Sequence, residues 1–232
     1  MIEPRTRPSV LVFDVNETLL DIRSLEPLFD ELFGDRRVLR EWFARLIMYS
    51  MTVTVTKKYV DFSVLAQGVL RMLGGIYEVD ITDDDAQRLK SGLLTMPAHP
   101  DAAEGLTALR DNGFRLATLT NSPPNPDGPT ALENSGLAEL FEHRLSVDSS
   151  RAFKPAAAVY RHACDTLRVA PADCMMVAAH AWDTLGAQVV GFAGALITRP
   201  GNSPLPVSGV PQPDLVVSDM RELAERLRTA PS

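Results

Sequence analysis

The sequence predicts an α/β fold in which a parallel β-sheet carries crossover helices and a helical cap is inserted after the first strand. Its 232 residues, 45% of them hydrophobic, are enough to fill one large core with a small insert. Short apolar runs alternate mostly with helical stretches, which is typical of a parallel sheet. Directly after the first run, the sequence changes to helix-like segments without a convincing buried strand.

Five apolar runs predict the strands, and local signals support the helices between them. The runs lie at residues 9–13, 114–119, 174–178, 192–197 and 214–217. Asp101 with Glu104, and Asp219 with Glu222, have the spacing of a helix capping box. Gly191 lies where the C-terminal glycine of a helix is expected.

The helix-rich segment is predicted to form a cap over the carboxyl edge of the sheet. Its helix-like stretches lie at residues 25–33, 38–51, 59–73 and 83–94. We therefore divide the chain into a cap of residues 20–97 and a core of residues 1–19 and 98–232. Bulky residues such as Trp42 and Phe43 are expected mostly to pack between the cap helices. A cap that closes on a small substrate would draw its apolar wall from the same residues.

Charge and hydropathy exclude several classes of protein. The net charge is −7 and no run of Lys or Arg is present, so a nucleic-acid partner is not expected. The longest apolar runs, for example residues 189–197, fall far below the roughly 18 residues needed to span a bilayer. The first apolar run is interrupted at Asp14 before a secretory segment could form, so we expect a cytoplasmic protein. Cys164 and Cys174 lack metal-binding spacing and are predicted to be reduced core residues.

Polar side chains stand at the ends of the predicted strands. They are Asp14 and Thr18 after the first strand, Thr120 and Asn121 after the second, Lys154 near the next crossover, and His180 and Asp183 after the following strand. Because the carboxyl ends of parallel strands meet at one edge of the sheet, these side chains are expected to share one pocket.

Each of these residues has a functional and a structural interpretation. Asp14 is a candidate nucleophile, metal ligand or base, although an Asp there can also cap a turn. Thr120 and Asn121 could hydrogen-bond the Asp14 carboxylate or a developing oxyanion, or only turn the chain. Lys154 near Asp14 would keep that carboxylate ionised, and the alternative is a solvated surface lysine. Asp183 is either a helix cap or a partner for Lys154 or for a water molecule.

The order of these motifs resembles the haloacid dehalogenase superfamily. The motifs are FDxxxT with Asp14 and Thr18, TN at residues 120–121, KP at residues 154–155, and a final motif with Asp183. Within the superfamily, the helical insert, the phrase KPAAAVY ending at Tyr160, and the phrase AHAWDTLGA most resemble the type II L-2-haloacid dehalogenases.

This resemblance implies a Rossmann-like core, a cap of four helices and usually a homodimer. It also implies that the Asp14 carboxylate displaces halide from C2 of a small 2-haloalkanoic acid. Water then hydrolyses the aspartyl ester and releases a 2-hydroxy acid. The matching motifs imply that Asp14, Thr18, Lys154 and Asp183 are catalytic, and they place Tyr160 among the substrate-binding residues.

One substitution in the first motif argues against phosphate chemistry. Superfamily phosphatases carry a second Asp two residues after the nucleophile, and this Asp protonates the leaving alkoxide. Here that position is Asn16, which cannot donate a proton in this way, whereas a halide leaves without one. The neighbours of Asp183 add no further carboxylate for magnesium, so we expect no metal and no cofactor. The alternatives are a superfamily hydrolase acting on a phosphate ester or another small molecule, and a noncatalytic binding protein.

The chain also departs from the type II dehalogenases around the substrate. In that family an Arg in the cap follows a Trp and helps to take the halide, whereas here Phe43 follows Trp42 and the nearest cation is Arg45. His180 stands in place of an Asn, and it could bind the substrate carboxylate or water, or be a neutral core histidine. The predicted substrate-binding residues are Asn16, Thr120, Asn121, Phe43, Arg45, Tyr160 and His180.

Overall fold

A computed structural model describes residues 7–229, and its centre is a six-stranded sheet in which all strands are parallel. The strands are β1 (Val10–Phe13), β2 (Arg115–Thr120), β3 (His143–Ser146), β4 (Cys174–Ala178), β5 (Ala193–Ile197) and β6 (Leu215–Val217). Their spatial order is β3-β2-β1-β4-β5-β6. The predicted α/β, Rossmann-like fold is therefore confirmed. The outer limits of the predicted core, residues 1 and 232, lie outside the described residues.

Strand β1 is the centre of the sheet and fixes the position of the candidate site. All four of its residues are fully buried, as expected for a strand covered on both faces. Phe13 is in register with Thr118 on β2 and with Val177 on β4. The strand order reverses on the two sides of β1, and in such sheets a crevice opens at the carboxyl end of that strand. Asp14 is the first residue beyond it.

Five α-helices lie between β1 and β2, and the first four form the helical insert. These four are α1 (Glu26–Phe33), α2 (Val38–Val55), α3 (Phe62–Tyr77) and α4 (Asp83–Leu94). The later helices are α5 (Ala102–Asp111), α6 (Ala131–Asn134), α7 (Ala157–Leu167), α8 (Ala181–Val190) and α9 (Met220–Arg228). The Asp21 N–H donates to the Pro97 carbonyl at 2.8 Å, so the chain leaves and re-enters the sheet layer at one place. The division into cap and core remains a prediction, and this hydrogen bond supports it.

The helical insert has an apolar interior of its own. Trp42 on α2 is fully buried, and its indole N–H donates to the Ala66 carbonyl on α3 at 3.0 Å. The Phe29 ring of α1 lies 5.5 Å from the Trp42 ring. These contacts hold α2 against its neighbours, and the same helix carries Arg40 and Phe43 towards the end of β1.

Strand β3 is the one strand that the sequence analysis missed. Its four residues, HRLS, are only partly buried and form no apolar run. The strand lies at the edge of the sheet and pairs only with β2. An edge strand needs no continuous apolar sequence, because one of its sides is not covered by a further strand.

The predicted capping boxes are only partly correct. At α9, the Asp219 side chain accepts from the Glu222 N–H at 2.8 Å, as expected of an N-cap. At α5 the prediction is wrong, because the Asp101 side chain does not cap its own helix. It accepts instead from Arg199 at 2.7 Å and from the Met220 N–H at 2.8 Å. A buried arginine far away in sequence therefore outcompetes the local cap.

Two smaller predictions are confirmed. Gly191 follows α8 with φ of 114°, a left-handed conformation that favours glycine. Cys164 and Cys174 are free and buried. No helix within residues 7–229 is both long and apolar enough to cross a bilayer.

Candidate active site

Three of the predicted catalytic side chains meet at the carboxyl end of β1. Asp14 directly follows β1, Asp183 lies in the first turn of α8 after β4, and Lys154 lies in the turn before α7. The Lys154 ammonium donates to Asp14 Oδ1 at 2.8 Å and to Asp183 Oδ2 at 2.5 Å. The convergence predicted from the strand ends is therefore present. Lys154 is not a solvated surface lysine, because it is fully buried.

The charge of Lys154 determines the protonation of both carboxyl groups. Burial by itself would raise the pKa of Asp14, but Lys154 and His180 more than offset this and hold that pKa well below its usual range. Burial also favours neutral Lys154, yet the two carboxylates raise its pKa above the ordinary value. At neutral pH, Asp14 is thus an ionised carboxylate beside a protonated ammonium.

Asp183 and Tyr160 form a second layer behind Lys154. The Tyr160 hydroxyl donates to Asp183 Oδ1 at 2.7 Å, and burial raises the pKa of Tyr160 well above its ordinary value. Burial likewise raises the pKa of Asp183, and Lys154 opposes that effect. Tyr160 is fully buried, and its role in substrate binding stays a prediction. Its contacts orient Asp183, and Asp183 in turn orients Lys154 rather than capping α8.

Thr18 holds the other oxygen of the candidate nucleophile. Its hydroxyl donates to Asp14 Oδ2 at 2.7 Å and accepts from the Ala179 N–H at 2.9 Å. The four-residue spacing of FDxxxT therefore lets the chain turn back after β1. Both Asp14 oxygens have a donor, which fixes the orientation of the carboxylate.

A second group of charged residues, the Glu17–His180–Arg40 cluster, lies on the opposite side of Asp14. His180 Nδ1 is 3.3 Å from Asp14 Oδ2, and His180 Nε2 is 2.7 Å from Glu17 Oε2. Burial would lower the pKa of His180, but the two carboxylates outweigh it and raise that pKa to about 9. Arg40 on α2 pairs with the other Glu17 oxygen and donates to the Pro200 carbonyl at 2.6 Å.

This cluster changes the electrostatics predicted for the site. With His180 protonated, three carboxylates and three cations balance each other. They are Asp14, Asp183 and Glu17 against Lys154, His180 and Arg40. Neither Glu17 nor Arg40 was predicted from the sequence as a site residue. Glu17 lies inside the FDxxxT motif itself, but its burial is visible only in the structure.

The cap contributes an aromatic ring and a different cation from the one predicted. The Phe43 ring lies 5.5 Å from the His180 ring, so Phe43 reaches the site as expected. Arg45 does not, because it pairs with Glu41 at 2.7 Å, one turn earlier on the same helix. Arg45 is two residues beyond Phe43, which places it about 200° around the helix. The cation that α2 supplies to the site is Arg40.

Asn16, Thr120 and Asn121 make their side-chain hydrogen bonds to residues other than Asp14. Asn16 donates to the Ser122 hydroxyl at 3.3 Å, and Thr120 Oγ1 accepts from the Ser122 N–H at 3.1 Å. Asn121 Oδ1 accepts from the Lys154 N–H at 3.1 Å. Of the three roles considered for Thr120 and Asn121, the hydrogen bond to the Asp14 carboxylate is not present in this structure, turning the chain agrees with the observed bonds, and binding of a developing oxyanion stays a prediction. Their contacts instead shape the loop after β2 and the turn that carries Lys154.

A cavity of about 480 Å³ lies between the helical insert and the sheet, next to these residues. Asn16 and Thr120 line it from the sheet side, and Phe62 and Lys90 line it from the insert. The mixed lining of apolar and polar groups suits a small polar organic molecule. Among the predicted substrate-binding residues, Asn16 and Thr120 are the ones in its wall.

The residues at the end of β1 do not fit a divalent metal ion. The position between Asp14 and Asp183 belongs to the Lys154 ammonium. Within residues 7–229, no group of three or more His, Cys, Asp or Glu side chains is arranged to hold a metal. The donor set supports a protein cation, rather than a bound ion, as the partner of Asp14.

A Rossmann-like sheet, a helical insert after β1 and a clamped aspartate at the end of that strand define a class of hydrolases. The chain belongs to the haloacid dehalogenase-like hydrolases, whose family model matches residues 8–191. It is 34% identical to (S)-2-haloacid dehalogenase 4A of Burkholderia cepacia over 83% of this chain and 84% of that one.

Solved structures agree with this membership. A dehalogenase solved with an intermediate complex has a TM-score of 0.86 and 30% identity, covering 97% of this chain and 99% of that chain. The L-2-haloacid dehalogenase RSc1362 has a TM-score of 0.89 and 28% identity, covering 97% of this chain and 100% of that chain. The similarity therefore extends over the insert as well as the sheet.

Proposed function

We propose that this protein hydrolyses small 2-haloalkanoic acids to 2-hydroxy acids through an ester on Asp14. The observation that carries the proposal is the buried, ionised Asp14 carboxylate, which Lys154 and Thr18 hold by one oxygen each. The names of the relatives, (S)-2-haloacid and L-2-haloacid dehalogenases, support the substrate class.

In the first step, an Asp14 oxygen attacks C2 of the substrate from the side opposite the halogen. The carbon–halogen bond breaks, and the halide leaves with the bonding electron pair, so no proton is required. Lys154 and Thr18 orient the carboxylate before the attack, which lowers the entropic cost of reaching the transition state. Asn16, at the place of a phosphatase acid, is compatible with a leaving group that needs no protonation.

In the second step, water attacks the carbonyl carbon of the Asp14 ester and regenerates the carboxylate. Asp183 and Tyr160 keep Lys154 in place through both steps. Asn16 and Thr120 contact the substrate from the cavity wall, and Phe43 closes the site from the cap. Asp14, Thr18, Lys154 and Asp183 are the proposed catalytic machinery.

A homodimer in the cytoplasm is the proposed working form. The resemblance to the type II dehalogenases supports the dimer, as does an apolar face on α2. Met48 and Val55 expose 48% and 81% of their surface on this helix, and Ile47 and Met51 flank a shallow groove there. Exposed apolar patches of this kind often mark interfaces. Val55→Lys should convert the dimer to a monomer in sedimentation analysis.

The test of the function is a panel of small 2-chloro, 2-bromo and 2-fluoro carboxylic acids beside phosphate monoesters. We expect halide release from the former and no phosphate release from the latter. Asp14→Asn is the matched control, since it keeps the shape of the side chain and removes the nucleophile. Phosphate release with no halide release would replace the proposal with phosphatase activity.

Chelation tests the same proposal independently. Activity should be unchanged in EDTA, because Lys154 supplies the positive charge between the two carboxylates. A loss of activity that magnesium restores would contradict the proposed mechanism.

A further inference from the structure

His180 is held between the candidate nucleophile and a second carboxylate. Its Nε2 is bonded to Glu17, whereas Nδ1 faces Asp14 Oδ2 at 3.3 Å. Nδ1 is buried and makes no hydrogen bond of acceptable geometry to any residue in the described part of the chain. The ring stacks on Trp182 at 5.1 Å and packs against Phe43. One nitrogen is thus anchored, and the other points at the reacting carboxylate.

Glu17 occupies a backbone conformation that a glutamate rarely adopts. Its φ is 64°, in the left-handed region that favours glycine. The side chain is nevertheless buried and bonded to both His180 and Arg40. A strained residue kept at a site is evidence for a role there. Here the strain puts a carboxylate directly behind His180.

The other groups around Asp14 are already committed. Lys154 is shared between Asp14 and Asp183, and Asp183 also accepts from Tyr160. The Thr18 hydroxyl donates to Asp14. Among the described groups that face Asp14, His180 is the one that can take a proton without breaking these bonds.

We propose that His180 is the general base that activates water for hydrolysis of the Asp14 ester, with Glu17 as its positioning residue. Nucleophile, base and carboxylate would then act as an Asp–His–Glu triad. The proposal rests on the proposed function and assigns the proton transfers of its second step.

The protonation state of His180 changes when the ester forms. In the free enzyme two carboxylates face its ring, and both raise its pKa. Esterification removes the charge of Asp14 and leaves Glu17 alone, with Arg40 behind it. The pKa of His180 falls, and the imidazolium releases one proton to solvent. This is the proton produced in the overall reaction of haloacid with water.

The remaining steps balance through Nδ1. Neutral His180 takes a proton from water while the water oxygen bonds to the Asp14 carbonyl carbon. The tetrahedral intermediate breaks its bond to the ester oxygen, and the departing alkoxide receives that proton from His180. The new carboxylic acid of Asp14 then gives its own proton to His180. The free enzyme, with ionised Asp14 and protonated His180, is restored.

The test uses His180→Gln, whose amide can still donate to Glu17 but cannot accept a proton. We expect one halide per active site to be released in a burst, followed by turnover at least about 100-fold slower than wild type. Intact-protein mass spectrometry should show the ester accumulating, and peptide mapping should place it on Asp14. His162→Gln, outside the site, is the matched control and should behave as wild type.

The pH dependence of kcat in Glu17→Gln distinguishes a positioning role of Glu17 from a merely structural one. Because Glu17 raises the pKa of His180, the acid limb of the kcat profile should shift to lower pH, and its plateau should fall. The rate of the halide burst should remain near that of wild type.

The outcomes separate the two proposals. If wild type turns over and His180→Gln loses the burst or accumulates no ester, the assignment of His180 is wrong and the function stands. If wild type releases no halide from any 2-haloacid, the proposed function fails, and the triad fails with it.

Discussion

The two sides of Asp14 differ in burial, strain and distance from solvent. On one side Lys154, Asp183 and Tyr160 are each fully buried and bonded to one another. The other side, the seam side, consists of Glu17, His180 and Arg40, where the helical insert meets the sheet. There the backbone of Glu17 is strained, and the Arg40 side chain is 38% exposed. The buried side is suited to holding a carboxylate ionised and still. The seam side is suited to exchanging a proton with solvent, which ester hydrolysis requires.

The largest expected effect is on the buried side. Lys154→Ala should lower turnover by at least about 100-fold, and the halide burst should disappear too, because Asp14 loses its orienting cation. Removing one partner of a buried ion pair costs about 3–5 kcal/mol, so unfolding should be measured alongside. The double variant Lys154→Met/Asp183→Asn should recover stability without activity. If folded Lys154→Ala still releases halide in a normal burst, Lys154 is not needed to orient Asp14, and the proposed difference between the two sides of Asp14 is wrong.

The next effect is on stability at the seam. The pKa of His180 is raised from 6.5 to about 9, so folding favours its protonated form. This stabilisation is fully present below the unfolded pKa and is lost as pH rises through the folded one. Between about pH 6 and about pH 10, the free energy of unfolding of wild type should fall by on the order of 3 kcal/mol relative to that of His180→Gln. Denaturant melts of both proteins check this, and parallel pH curves would contradict a protonated His180.

The smallest effect should come from Arg40. Because this arginine is partly exposed, Arg40→Met should cost up to about 1 kcal/mol of stability. Turnover should fall several-fold through slower ester hydrolysis, with the halide burst intact. Arg45→Met on the same helix is the matched control and should change neither rate. An effect of Arg45→Met on turnover would restore the prediction that this residue binds substrate.

The same comparison shows what could be predicted from sequence. Asp14 and Asp183 could be found because each follows a predicted strand, and the sheet topology brings such ends together. Lys154 could be found because it stands just before a predicted crossover helix. The contacts among these three residues can be predicted without knowing the structure of the cap. The strands and cap helices were likewise visible as apolar runs and helical periodicity. Strand β3 was not visible, because an edge strand does not have to be apolar.

The seam side depended on features that a linear pattern does not carry. The role of Glu17 depends on a left-handed backbone conformation, and Arg40 reaches it across 23 positions of chain from the inserted helix. Arg45 was preferred over Arg40 because it is closer to Phe43 in sequence. Rotation around α2 decides otherwise, since Arg45 faces Glu41. Tyr160 and Asn121 are predicted to bind substrate because they lie in motifs that resemble those of the dehalogenase family, and in the structure both bond to other residues of the protein.

The central claim is that Asp14 attacks carbon and water attacks Asp14, and a single turnover in heavy-oxygen water tests it most directly. With enzyme in excess over a 2-haloacid, the hydroxyl oxygen of the product should come from the Asp14 carboxylate and carry no label. The heavy oxygen should appear in the peptide that contains Asp14, as measured by mass spectrometry. A labelled product together with an unlabelled peptide would mean that water attacks C2 directly, and Asp14 would then not be the nucleophile.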